Sequence, residues 1–265
     1  MAIFRGPEDR GGSTRSATLE RYVSQHTLDL VSAQCAEGRV PEDLRLSDCI
    51  MTNTLFTIGY SGRSIDNFIA LLERHKITAL CDVRSVPYSS RNPQFNRPTL
   101  KKVLKSHNIE YIFLGEELGA RPKDPSCYVH GKALYQKIAD STLFKNGLER
   151  IRVGMHKDYI LALMCAEKDP MACHRSILIC KNLRDRLIDI RHIIDHDITE
   201  TQADLEKRLI AQLKLYPDLF KDAGPDALIV RAYEIQGYRM AYVEKGEREQ
   251  DEQLAQTVRE EHEGY

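Results

Sequence analysis

The feature that most restricts the fold is an alternation. Five short, nearly continuous apolar runs punctuate the chain: LFTIGY (55–60), TALCDV (78–83), IEYIFLG (109–115), YILALM (159–164) and RHIID (191–195). Segments of helical period lie between them. In SIDNFIALLERHK, Ser64 suits an N-cap, and Ile65, Phe68, Ile69 and Leu72 recur on one helical face. In PTLKKVLKSHN, Leu100, Val103 and Leu104 do the same. After the fourth run, Asp169-Pro170 fits an N-cap with proline at the first helical position, and Ile179, Cys180, Leu183 and Leu187 mark the helix that follows. Strands apolar along their whole length are buried on both faces, as in a parallel sheet between helix layers. The expectation is an α/β, three-layer, Rossmann-like domain with a parallel five-stranded sheet and helices on both faces. The long link 116–157, with helical segments near 132–139 and 142–154, returns the chain to the middle of the sheet. That gives the order 3-2-1-4-5 with right-handed crossovers.

Three regions follow from composition along the chain. Residues 1–53 form an N-terminal arm, disordered over its polar, glycine-rich start and weakly helical from Ala17 to about Gly38. Residues 54–215 form the α/β domain, closing with a helix over 199–214. Residues 216–265 form a helical extension, with a helix over 227–243 and an acidic tail from Glu244.

The net charge of −1 gives no general attraction to nucleic acid or anionic membrane. No apolar run is long enough to span a bilayer, and MAIFRGPEDRGGSTRS has no apolar core of a secretory signal. Seven cysteines, an odd number, then read as reduced thiols in the cytoplasm rather than a disulfide framework.

In a sheet of this kind, ligands bind at the carboxyl ends of the strands where the order reverses. The predicted order sets the loop after strand one (Tyr60, Ser61) beside the loop after strand four, CAEKDPMACHR (165–175), with the Asp82–Arg84 turn next to both. Cys165 ends a buried strand, and Cys173, His174 and Arg175 fall in the first turn of the next helix. Backbone N–H groups there favour an anion and lower a thiol pKa. Glu167 and His174 suit proton transfer, and Arg175 suits a bidentate anion contact. Structural alternatives stand beside these readings: Cys165 as a small core residue, Cys173 as filler at a helix end, His174 as a surface side chain.

The spacing C-x7-C-H lacks the paired ligands of structural zinc sites, although Cys127 and His130 would supply a second pair if folding brought them close. Position 171 is methionine, which excludes a phosphatase loop with arginine six residues after the cysteine. No C-x-x-C is present around the motif. Metal and cofactor are therefore expected to be absent. In DVRSVPYSSRNPQF (82–95), Asp82 can point its carboxylate into the crevice toward a sugar or a water. The first turn, GYSGRS, lacks the G-x-G-x-x-G spacing, which argues against a dinucleotide. Arg84, Ser85, Arg91 and Phe95, with Tyr88, Arg97 and the lysines 101, 102 and 105, interleave basic and aromatic residues, a pattern suited to phosphate contacts and base stacking or to a solvated loop. Arg121, in EYIFLGEELGARP (110–122), can reach the same crevice.

TIGYSG, the Phe68–His75 stretch, DVRSVPYSSR, YIFLGEELG, ALMCAEKDPMACHR and HIIDHD follow one another in this order. Over about residues 54–210 the chain resembles the domain of unknown function 488 family. The label carries no reaction. The resemblance implies that Ser61, Asp82, Arg84, Ser85, Arg91, Cys165, Glu167, Cys173, His174 and Arg175 belong to one motif set. Tyr60 departs from the family's histidine and Ala120 from its second glycine.

The combined reading is an enzyme, a cysteine-dependent hydrolase or transferase. Cys165 is the nucleophile, with Glu167, Cys173, His174 and Asp82 in support. Tyr60, Ser61, Arg84, Ser85, Arg91, Phe95, Arg121 and Arg175 hold an anionic substrate of nucleotide, nucleoside or nucleic-acid class. The alternatives are a non-catalytic nucleotide or nucleic-acid binding module and a Cys/His metal or redox sensor. A homo-oligomer is compatible with the sequence; membrane association is not expected.

Overall fold

Strand β1 (Asn53–Gly59) carries the first apolar run through the middle of the sheet. The computed structural model describes residues 53–157, 159–184, 188–216 and 225–244, which fall in one structural unit. The expected N-terminal arm up to Thr52, Leu187 and the tail beyond Glu244 lie outside the described residues.

Helix α1 (Ile65–Arg74) starts at Ser64, whose Oγ accepts from the Asn67 amide. It leads to β2 (Ala79–Asp82); α2 (Arg97–Ser106) then leads to β3 (Glu110–Phe113). The next stretch contains a short helix α3 (Gly115–Leu118), a hairpin of β4 (Tyr128–Val129) and β5 (Lys132–Ala133), and helices α4 (Tyr135–Asp140) and α5 (Thr142–His156). Strand β6 (Leu161–Cys165) follows. After β6 a single 3₁₀ turn (Pro170–Ala172) precedes a wide π-helical segment (Arg175–Cys180) that tightens into α6 (Lys181–Leu183). The chain continues through β7 (Ile188–Asp195), β8 (Ile198–Thr201), α7 (Gln202–Gln212) and α8 (Pro225–Met240).

The architecture is α/β with a mostly parallel sheet, as expected, but the sheet has six strands in the order β3-β2-β6-β1-β7-β8. Strand β6 inserts between β2 and β1 instead of lying outside β1, and β7 pairs with β1 instead of β6. Both arrangements let the long link return the chain to the sheet centre, so the link alone does not choose between them. The sixth strand, β8, is antiparallel to β7 and takes residues 198–201 that the expected helix over 199–214 partly claimed. Thr201 ends the strand and caps α7, its Oγ1 accepting from the Asp204 amide.

One face of the sheet (Ile58, Leu80, Ala162, Met164, Ile193) packs against Phe68, Leu71 and Leu72 of α1 and Leu100 and Leu104 of α2. Side chains alternate along β6, so Leu161, Leu163 and Cys165 face the other way, where α5 and the segment after His174 cover that strand. A second cluster joins Leu205 and Leu209 of α7 to Ala232 and Tyr233 of α8, and both to Met171 and Ile177. This packing fixes the C-terminal extension against the loop that follows β6.

Candidate active site

The crevice is built by strand ends. Gly59 and Cys165 are partners in the β1–β6 ladder. Beyond them the Tyr60 amide donates to the Cys165 carbonyl at 3.2 Å and the Ser61 amide to the Ala166 carbonyl at 2.9 Å, so the two loops leave the sheet together. A Cβ at Gly59 would lie 1.9 Å from the Glu167 carbonyl oxygen; only glycine lets the loop after β6 cross here. On the other side of β6, the Val83 amide donates to the Met164 carbonyl at 3.1 Å, bringing in the turn after β2.

The loop between β6 and the π-helical segment departs from the expected helix start. Asp169 caps only the turn at 170–172, its Oδ1 accepting from the Met171 amide. Cys173 then takes an extended conformation, φ −135° and ψ 138°, before winding resumes. Cys173 therefore links two helical pieces, and His174 and Arg175 open the second piece rather than the first.

At the crevice floor, Cys165 Sγ lies 3.5 Å from His174 Nδ1 and 3.2 Å from Glu167 Oε2. Cys173 Sγ stands 4.0 Å from the same Nδ1. The other ring nitrogen, Nε2, is 3.0 Å from the Val83 carbonyl, which can only accept. That bond holds the proton on Nε2 and turns Nδ1 toward both sulfurs. Burial opposes a charge on His174, yet the hydrogen bond and charge of Cys173, together with Glu167, raise its pKa above the ordinary histidine value. The two thiols titrate as a pair. Burial resists ionisation at Cys173, but the thiol of Cys165, Arg175 and His174 outweigh it and draw the first pKa well below the cysteine range. The hydrogen bond to that thiolate, with burial, holds the second proton on Cys165 well above it. Burial and the charge on Cys173 also raise the pKa of Glu167.

Above the sulfur opens a cleft of ≈ 580 Å³. Of the expected residues, Tyr60, Arg84, Ser85, Arg121, Cys165, Glu167 and His174 line it. Arg84 is held by a bidentate pair with Asp82, at 2.9 and 2.6 Å, and by the Phe95 carbonyl at 2.9 Å, and it lies over the Tyr60 ring. Its Nη1 is buried without a hydrogen-bond partner. Ser85 Oγ accepts from the Arg121 amide at 3.0 Å, and a Cβ at Gly115 would lie 2.0 Å from the Arg84 carbonyl, so this close approach sets the 115–121 loop as a wall.

Other expected residues have different duties. The Asp82 carboxylate does not reach the crevice; besides Arg84 it accepts from the Tyr111 hydroxyl at 2.7 Å. It positions Arg84 instead of a sugar. Arg175, fully buried, donates to Thr57 Oγ1 and to the carbonyls of Glu167 and Lys168 at 3.2, 2.6 and 3.1 Å, which ties the loop after β6 to β1. Phe95 is a core residue, stacked on Tyr60 at 4.5 Å and edge-on to Phe68. Ser61, Arg91 and Cys173 are not among the lining residues, and Arg91 is exposed. Cys127, in the turn before β4, and His130, between β4 and β5, do not join the Cys165 group.

Sequence reasoning missed Tyr135, Met240, Ala241 and Tyr242, which close the far side of the cleft. The last of these comes from the chain after α8, where the Ala133 amide donates to the Tyr242 carbonyl at 2.8 Å and Arg121 lies 4.5 Å over the Tyr242 ring.

Residues 64–181 match the family model described as Domain of unknown function DUF488. The resemblance to the DUF488 family holds. The matched span carries Asp82, Arg84 and the whole 165–175 loop, and stops short of Tyr60 and Ser61 on one side and α7 and α8 on the other. The Cys165–His174 pair and its Val83 anchor thus lie wholly within the matched segment, while Tyr242 is supplied from outside it. No curated protein and no solved structure matches the chain. Among the described residues, no helix is long and apolar enough to cross a membrane.

Proposed function

We propose that the cleft is an active site in which the Cys165–Cys173 thiol pair, with Cys165 as nucleophile, acts on an anionic substrate of nucleotide or nucleoside class. The observation that carries this reading is the facing of Cys165 Sγ and His174 Nδ1 at 3.5 Å on the cleft floor, with the tautomer set by Val83. A nucleophile, a base and a group orienting the base constitute an activated thiol. Cys165 passes its proton to the neighbouring Cys173 thiolate as its sulfur forms a bond to the substrate's electrophilic carbon or phosphorus, and takes that proton back when the bound group leaves. The bond to the leaving group breaks, and that group departs with its electron pair and a proton from His174. Transfer of the bound group to water or another acceptor, which loses a proton to His174 or Glu167, frees the sulfur.

The substrate class rests on the walls. Arg84 and Arg121 line the cleft and set two guanidinium groups beside it, which favours an anionic substrate. Tyr60, Tyr88, Tyr135 and Tyr242 offer aromatic surface around it. A volume of ≈ 580 Å³ suits one small molecule rather than a polymer. The basic side chains Arg97, Lys101, Lys102 and Lys105 are exposed on α2, away from the cleft lining, and favour no role in the same pocket.

The reading is tested by iodoacetamide alkylation as a function of pH, with the modified cysteine located by mass spectrometry. Modification of the Cys165–Cys173 pair is expected to rise with a midpoint well below the free-thiol value of about 8.5. His174→Ala should move the midpoint upward without altering the fold. An unshifted thiol titration in the wild type removes the proposal.

A further inference from the structure

The same corner of the molecule has a second chemical capacity, which does not depend on thiol catalysis. We propose that Cys165 Sγ, Cys173 Sγ and His174 Nδ1 form a binding site for a zinc-class divalent cation, with a fourth position open to the cleft beside Glu167.

The first argument is distance. The three donor atoms lie within 4.8 Å of one another. An ion about 2.3 Å from sulfur and about 2.0 Å from nitrogen, in tetrahedral geometry, separates the two donors by about 3.5 Å. Cys165 Sγ and His174 Nδ1 are 3.5 Å apart, and Cys173 Sγ and Nδ1 4.0 Å. Small side-chain rotations bring all three onto one ion.

The second argument is the surroundings of the ligands. A metal-bound imidazole donates its other N–H to a carbonyl or carboxylate, which fixes the ring and raises its basicity. His174 has that partner in the Val83 carbonyl at 3.0 Å. All three side chains are buried, so water competes weakly for them. Cys165 nevertheless lines the cleft, which leaves an approach on one side. The Glu167 carboxylate, 3.2 Å from Cys165 Sγ, can close the fourth position or hold a water in it.

The third argument is charge and softness. Two thiolates cancel a dication, and Glu167 and Arg175 balance each other, so the filled cluster carries no net charge. Two sulfurs and an imidazole select zinc over magnesium or calcium, which take oxygen ligands. The motif is hard to see in sequence because its ligands come from a strand end and from the break between two helical pieces, not from paired knuckles.

The test uses the full chain, reduced and stripped with a chelator, then titrated with zinc ions against a chromophoric competitor. One equivalent should bind, and Cys173→Ser or His174→Ala should each weaken binding at least about tenfold. A Cys35→Ser, Cys49→Ser double variant should bind as the wild type does. Zinc should also protect Cys165 and Cys173 of the wild type from iodoacetamide, a readout that needs no variant to fold. Binding no tighter than in a Cys165→Ser, Cys173→Ser double variant, or absence of protection, overturns the site. If zinc fails to bind but the metal-free pair alkylates at neutral pH, the metal site alone falls. If zinc binds and the metal-free pair titrates as ordinary thiols, the thiol chemistry falls and the metal site stands.

Discussion

Two buried histidines, eighteen positions apart, have opposite surroundings, and Arg175 hydrogen-bonds to a neighbour of each, Thr57 and Glu167. His192 belongs to a closed chain. Its Nδ1 accepts from Thr57 Oγ1 at 2.8 Å, and its Nε2 donates to Gln202 Oε1 at 2.9 Å. Gln202 Nε2 donates to the Tyr233 hydroxyl at 2.5 Å, which donates to Glu206 Oε1 at 2.8 Å. Every bond runs in the same direction, and each side chain has its partners. Burial, then the charge of Arg175, depresses the pKa of His192 to about 3, so the ring stays neutral. His174 instead faces two thiols and a carboxylate, its pKa is raised, and the neighbouring Arg84 keeps a buried N–H unused. A satisfied polar chain specifies a structure; the cluster around His174 keeps titrating groups and a donor that the chain itself does not pair.

The strongest way to break this comparison is to remove the side chain that serves both regions. Arg175→Met strips a donor from Thr57 and from the carbonyls of Glu167 and Lys168. Urea denaturation should show a loss of at least about 3 kcal/mol, because charged hydrogen bonds are lost and buried acceptors are left bare. A loss below about 1 kcal/mol would mean that Arg175 organises neither region.

Acid titration sharpens the contrast. Between the ordinary histidine pKa of about 6.5 and the folded value of about 3, the unfolded chain binds a proton that His192 refuses. Stability from this residue is complete above about pH 6.5 and falls as the pH drops, by up to about 1.4 kcal/mol per unit. His192→Gln should flatten that slope. Identical acid slopes in wild type and variant would remove His192 from the account. His174 works in the other sense: its raised pKa adds stability that is full below about pH 6.5 and fades as the pH rises through the folded value.

The sequence was most legible where local chemistry decides. The apolar runs marked the five parallel strands, and Ser64 marked the start of α1. The strand order was not legible, because insertion of β6 on either side of β1 leaves Gly59 beside Cys165. The site loops could therefore be read as neighbours from a wrong order. The side chains were harder. Arg175 and Asp82 have the residue types of ligand contacts, but whether an arginine serves a substrate or backbone carbonyls depends on what folding brings near it. Tyr242 reaches the cleft only through pairing of the segment after α8 with the β4–β5 hairpin, for which no local pattern exists.

The most direct test of the central claim is a nitrogen-15 NMR measurement of both rings in one reduced, metal-free sample at pH 7. Followed from there across pH, His174 should take up its second ring proton at a higher pH than a free imidazole, as the partner of a thiolate, and should lose that upward displacement in Cys173→Ser. His192 should remain neutral with its proton on Nε2. A neutral His174 in the wild type, titrating like a free imidazole, would contradict the account.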